Sequence, residues 1–281
     1  MMNRIELKQE AKGVVRTAAV SAYLFALLYL ALTELLQGAS VYVNGDVALY
    51  MQTYFPNVPI PSYLYPVAMP TTVVTLVAVV CWLLRVLLQG GWVLYHLGVR
   101  RGEEMPYATL FDGFGFIGKL ILLNIVITLY VFLWSMLFVF PGIIAHYRYS
   151  FALYNLYENP DMDIMEALNL SKRQTQGYKM ELFKLDLSYM GWILLSMLPS
   201  LFFTSQAILT LGFSGMDPYA ALAAPMSLWQ ILTASAFVYA LSIFYLPNYQ
   251  CVQLAYFDAA KGDMPEFRSR RADFSDGPGS F

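Results

Sequence analysis

Residues 70–98 read PTTVVTLVAVVCWLLRVLLQGGWVLYHLG, with Arg85 the one charged residue among them. A helix needs about 20 predominantly apolar residues to cross the hydrocarbon core of a bilayer, and this run supplies them with a margin. Working outward from it, five more runs satisfy or approach that length: Thr17 to Gly38, Phe116 to Phe140, Gly142 to Tyr157, Asp186 to Leu211 and Ser227 to Phe257. Pro141-Gly142 separates the third span from the fourth, which is the shortest and most polar. Composition agrees, because 58% of the 281 residues are hydrophobic and 13% are charged, against about 25% charged in a soluble domain. The sequence therefore predicts an all-α fold, a polytopic transmembrane helical bundle of about six spans. It forms one membrane domain over residues 17–258, with no length left for a separate catalytic domain. The start, Met1 to Arg16 followed by an apolar run, reads as a retained first span rather than a signal peptide, because the run exceeds the usual signal core.

Lysine and arginine test the partition independently, since they collect on the cytoplasmic side of a membrane. The N-terminal segment holds Arg4, Lys8, Lys12 and Arg16, and the second connection holds Arg100, Arg101 and Lys119. The fourth holds Lys172, Arg173, Lys179 and Lys184, and the tail over residues 259–281 holds Lys261, Arg268, Arg270 and Arg271. The first connection, Ala39 to Met69, and the fifth, Gly212 to Met226, hold none. Outside these clusters only Arg85 and Arg148 of the 17 bases remain, and both fall inside spans. The pattern predicts both termini on the cytoplasmic side (N-in and C-in), in the cell membrane.

Three connections carry more detail. In residues 1–16, Arg4, Lys8, Lys12 and Arg16 recur every fourth residue beside an apolar face of Leu7, Ala11, Val14 and Ala18, which predicts an amphipathic helix at the cytoplasmic surface. Like charges at that spacing repel. Anionic inner-leaflet headgroups of membrane lipids are the simplest counter-charge, topology signalling alone being the other reading. Asn159-Pro160-Asp161 marks a turn, Asp163 and Glu166 have capping-box spacing, and Gly177 is a stop signal, so residues 163–176 read as a short cytoplasmic helix. The extracytoplasmic loop 39–69 carries Pro56, Pro59, Pro61 and Pro66 among aromatic residues, composing either an interfacial belt or a lid.

Several stretches carry a resemblance. Arg101-Gly102-Glu103, Leu110 to Phe114, Leu133-Trp134, Phe140 to Ile143, Tyr157 to Asp161, Glu166-Ala167, Ser171-Lys172 and Leu185 to Trp192 resemble the uncharacterised bacterial membrane family called domain of unknown function 975. The likeness runs over roughly Gly90 to Leu195, with a weaker echo near Tyr245 to Asp258. A fainter likeness, around the Pro-Gly break and the Glu-Ala-x-x-x-Ser helix, is to the membrane domain of some glycerophosphodiester phosphodiesterases. That second resemblance implies work near phospholipids, without the hydrolase.

Signatures of chemistry are sparse. His96 and His146 begin no metal-ligand pattern, and no P-loop or G-x-S-x-G elbow occurs, so no metal, cofactor or nucleic-acid partner is expected. Cys81 and Cys251 lie in apolar runs and read as small packing residues, and Gly90, Gly91 and Gly98 as points of close helix packing. The remaining candidates are intramembrane charges, which are costly in hydrocarbon and need partners. Rising about 1.5 Å per residue, Glu34 and Arg85 reach heights of roughly 26 and 20 Å, close enough to pair. Arg148 lies among His146, Tyr147, Tyr149 and Ser150, with Asn124 the nearest uncharged partner. Glu34, Arg85, Asn124, His146 and Arg148 are thus either the lining of an internal polar cavity for an anionic or zwitterionic group, or buried pairs that fix helix register. The expected function is a non-enzymatic multipass membrane protein that binds or moves an amphiphile, a lipid or a membrane-active peptide. The alternatives are a structural or interaction protein, such as an accessory subunit or an immunity-type protector, and an intramembrane enzyme with His146 as general base.

Overall fold

In a computed structural model of the chain the described residues are 4–43, 70–213 and 228–264. They are helical almost throughout and contain no strand. In chain order the helices are α1 (Arg4–Thr17), α2 (Ala22–Val43), α3 (Thr71–Arg100), a 3-10 segment (Tyr107–Phe116), α4 (Ile117–Leu137), α5 (Val139–Tyr149), α6 (Ala152–Glu158), α7 (Ile164–Gln174), α8 (Lys179–Phe213) and α9 (Leu228–Asp263). Nearly all of the loop 39–69, the fifth connection and the basic tail beyond Met264 lie outside the described residues.

Among the described residues four stretches are long and apolar enough to cross a membrane: Ala22–Ser40, Thr71–Arg100, Ile117–Leu137 and Lys179–Gln206. Their outward faces carry side chains that water would not tolerate in such density. Met136 is 70% exposed and Leu201 61%, with Leu129, Phe132, Leu133, Leu194, Leu198 and Phe202 exposed beside them. Contiguous apolar surface of this extent marks contact with lipid. The expected sixth span falls within α9, which is not one of the four.

The expected fourth span differs more. The chain breaks at Phe138, in extended conformation (φ −162°, ψ 155°), and runs helically through Pro141-Gly142 as α5. Pro141 sits in the first turn, where its missing N–H would have had no intrahelical acceptor, so the proline starts a helix instead of ending one. Gly142 then lets α5 approach α4, because a Cβ there would lie 2.1 Å from Ser135 Oγ. A second break separates α5 from α6. Its exposed backbone groups are satisfied by α7: Ser171 Oγ donates to Arg148 O (2.9 Å) and accepts from Phe151 N (3.2 Å). Asn155 and Gln174, both buried, exchange two amide hydrogen bonds at 2.8 and 2.9 Å. The α7 N-terminus is capped by the Asp163 carboxylate accepting from Met165 N at 3.0 Å, and Gly177 (φ +87°) turns the chain toward α8.

By its contacts the chain divides into two compact units, Met1–Ala22, Val86–Ser188 and Pro247–Phe281 in the first, Tyr23–Arg85 and Tyr189–Leu246 in the second. In the first unit Leu7, Ala11 and Val15 of α1 are buried, a face shifted by one residue from the expected Val14 and Ala18. Lys8 Nζ donates to Ser188 Oγ (2.8 Å), Glu10 pairs with Arg100 (3.2 Å) and Tyr95 Oη donates to Val20 O (2.6 Å). The apolar face of α1 is therefore spent on protein, and the exposed Lys12 and Arg16 point away from it. Gly91 of α3 fits directly against the backbone of Leu110, where a Cβ would meet the carbonyl oxygen at 2.1 Å. Ion pairs tie the helix ends of this unit: Arg100 to Asp258 (2.7 Å), and Arg101 and Lys261 both to Glu158. In the second unit Tyr23 packs on Phe244 and Trp192 stacks on Tyr245 at centroid distances of 5.8 and 6.2 Å. Cys81 and Cys251 are both buried and free.

Candidate functional site

Within the first unit, α4 and α5 enclose a cavity of about 430 Å³ with residues of α3 and α6. Its polar lining is Gln89, Asn124, Thr128, His146, Tyr149 and Ser150; its apolar lining is Ile127, Val131, Phe132 and Leu153. The arrangement follows from helical spacing. Asn124, Ile127, Thr128 and Val131 fall at i, i+3, i+4 and i+7 on one stripe of α4, while His146 and Tyr149 are three apart on α5. Tyr149 is fixed by stacking on Tyr130, with centroids 5.7 Å apart. A cavity that mixes hydrogen-bonding groups with branched apolar ones fits an elongated molecule having both characters.

His146 also borders a second, enclosed void of about 20 Å³, shared with Tyr147, Ser150, Phe151, Tyr154, Leu182, Asp186 and Gln253. That is the space of about one water. Behind it runs a hydrogen-bond chain whose direction its two ends dictate. Trp92 Nε1 can only donate and a carboxylate can only accept, so the amides and hydroxyls between them must all point one way. Trp92 Nε1 donates to Gln250 Oε1 (3.2 Å), Gln250 Nε2 to Tyr154 Oη (3.2 Å), and Tyr154 Oη to Gln253 Oε1 (3.0 Å). Gln253 Nε2 then donates to Tyr249 Oη (2.6 Å), and Tyr249 Oη to Asp186 Oδ1 (2.6 Å). Tyr147 Oη supplies the other carboxylate oxygen at 2.6 Å. Every donor along the chain therefore points toward Asp186, and successive hydrogen bonds of this kind polarise one another.

Of the residues expected from the sequence, Asn124 and His146 meet on the cavity. Arg148 is not part of its lining; the Arg148 side chain is half-buried and its Nε finds no hydrogen-bond partner among the described residues. Glu34 and Arg85 belong to the second unit and do not form the expected direct pair. Arg85 donates to Gln37, and Glu34 interacts with the Tyr239 hydroxyl. Gln37 lies one turn beyond Glu34 on the same face, so an axial offset of about 4.5 Å separates the two possible partners, less than the counting of heights can resolve. His96 is fully buried, with Nδ1 2.8 Å from Trp92 O, as a packing residue.

Tyr249 and Gln253 escaped the sequence reading, which named Tyr147 only as a neighbour of Arg148 and Asp186 only as a span boundary and within the stretch that carries the family resemblance. Two signals were present: an ionisable residue opening an apolar run, and Tyr249, Gln250 and Gln253 on one face of an otherwise apolar helix.

Among curated proteins and among solved structures nothing matches the chain. The matches give no support to the fainter likeness to the glycerophosphodiesterase membrane domain. A family match begins later than the sequence resemblance does and reaches further, covering α5 to α9 and with them His146, Arg148, Asp186 and Tyr249. Residues 136–261 match the family model described as Protein of unknown function (DUF975), and it is to this family of unknown function that the chain is similar.

Proposed function

We propose that the protein is a non-enzymatic, six-span protein of the cell membrane, N-in and C-in, that binds or moves an amphiphile through the cavity beside His146. The observation that supports this reading is the cavity's divided lining. Asn124, Gln89 and His146 offer hydrogen bonds to a polar head, and Ile127, Val131 and Phe132 offer dispersion contact to a chain. Asp186, which accepts from the Tyr147 and Tyr249 hydroxyls, borders the same small void as His146 and adds acceptor oxygens behind the cavity. On this reading Lys12 and Arg16, exposed on α1, rest against anionic headgroups of the inner leaflet.

A photoactivatable phospholipid, reconstituted with the purified protein, tests the cavity. Crosslinks should map to α4 and α5, and Asn124→Leu together with His146→Leu should reduce the yield severalfold while the protein still elutes as a folded species. Equal yield from the double variant and the parent would exclude the cavity as the binding site.

A further inference from the structure

Most of the cations around the helix ends of the first unit have a partner. Arg100 has Asp258 and Glu10, Arg101 and Lys261 share Glu158, Lys184 has Glu181 (2.8 Å), and Lys119 rests on the carbonyls of Pro160 and Met162. Apart from the exposed Lys12 and Arg16 of α1, three cations differ from these. Arg148, Lys172 and Lys179 have neither a hydrogen bond nor an ion pair from their side chains among the described residues, and Arg148 Nε is buried in that state.

These three are close together. Ser171 Oγ and Thr175 Oγ1 both donate to Arg148 O, at 2.9 and 3.3 Å, which pins the last turn of α7, Lys172 included, against the end of α5. The turn at Gly177 then returns the chain so that Lys179 opens α8 beside them, and the Lys179 ammonium feels the charges of both Arg148 and Lys172. The N-terminal N–H groups of α8 add partial positive charge at the same place. Burying an arginine nitrogen without an acceptor, and gathering two more cations near it, costs free energy that no acceptor among the described residues offsets. A bound anion would interact favourably with all three cations at once and offset part of their charge.

We propose that Arg148, Lys172 and Lys179 form a receptor for a phosphate group, presented either by an anionic lipid headgroup or by a phosphate-bearing solute. Phosphate is the favoured chemistry because its oxygens can accept from a guanidinium and two ammonium groups at once. The site is separate from the cavity, whose lining does not include Arg148, Lys172 or Lys179.

The test uses the full chain in a nonionic detergent, titrated with dioctanoyl phosphatidylglycerol, dioctanoyl phosphatidylcholine and inorganic phosphate at constant ionic strength. Bound ligand is counted by native mass spectrometry and melting is followed in parallel. Lys172→Gln and Lys179→Gln, which remove no hydrogen bond seen in the structure, should each weaken binding of the preferred probe by about tenfold. Arg173→Gln makes the same change in net charge at the adjacent position and should leave binding unaltered. Phosphatidylglycerol binding without phosphate binding identifies a membrane headgroup, and the converse identifies a solute. Failure of both probes to bind, or equal losses in all three variants, overturns the proposal. Loss of crosslinking at the cavity leaves this outcome unaffected, so the two readings fail separately.

Discussion

Asp186 accepts from Tyr147 and from Tyr249, the last donor of a chain that starts at Trp92, and a carboxylate so placed is an acceptor that neighbouring donors have come to need. Replacing it by asparagine leaves one carbonyl oxygen for two tyrosine hydroxyls and forces an NH₂ group toward one of them. Hydrogen bonds to charged groups contribute about 1.5–3 kcal/mol, so Asp186→Asn should lower the melting temperature of the detergent-purified protein clearly. Tyr249→Phe should cost less, and the double variant should lose less than the sum of the two, because each mutation removes the same bond. Strictly additive losses would mean that the Tyr249 to Asp186 contact carries no energy. The sequence revealed which residues were charged or polar in an apolar setting, and for Asn124 and His146 that was enough to place them on one cavity. It did not reveal partners. Arg85 finds Gln37 instead of Glu34, three residues and about 4.5 Å further along the same face of α2, a difference finer than heights counted from the ends of two spans can resolve.

At the scale of elements, long apolar runs were legible because hydrophobic length is a property of composition, and α3, α4 and α8 follow it. The short helices were less so. Pro141-Gly142 reads locally as a break, yet the chain breaks at Phe138 because Gly142 must reach Ser135 across the turn, a contact made by two different helices. Close approaches of this kind make a sharp prediction about glycine. At Gly91 an added Cβ meets the Leu110 carbonyl oxygen at 2.1 Å and its carbon at 2.3 Å, both backbone atoms that cannot swing aside. Gly91→Ala should therefore destabilise by about 1–3 kcal/mol, the usual cost of overpacking. At Gly13 of α1 a Cβ would meet nothing within 4 Å. Gly13→Ala should then stabilise by about 0.5–1 kcal/mol through lower entropy of the unfolded chain. Thermal unfolding of the two variants side by side checks both signs, and the same shift in both would show that helix propensity alone is at work.

At the scale of the whole molecule the open question is how many times the chain crosses, and the weak point is the stretch from Val139 to Glu158. α5 and α6 contain 11 and 7 residues, so stacked end to end they reach about 27 Å, slightly less than the roughly 30 Å of a hydrocarbon core. Length alone leaves a crossing and a re-entrant excursion equally possible. Charge separates them. If this stretch does not cross, Lys172, Arg173, Lys179 and Lys184 lie outside, four cations on the side that the positive-inside rule disfavours. If it does cross, every cluster of bases faces the cytoplasm. The six-span reading predicts that cysteines at Ser62 and Asp217 react with an impermeant thiol reagent added to intact cells, and that one at Ser269 does not. The re-entrant alternative predicts the opposite at Asp217 and at Ser269 while leaving Ser62 labelled, so two positions change sign together. Because Cys81 and Cys251 are both buried, the native thiols should contribute little background, and labelling at Ser269 before lysis would reject the six-span arrangement outright.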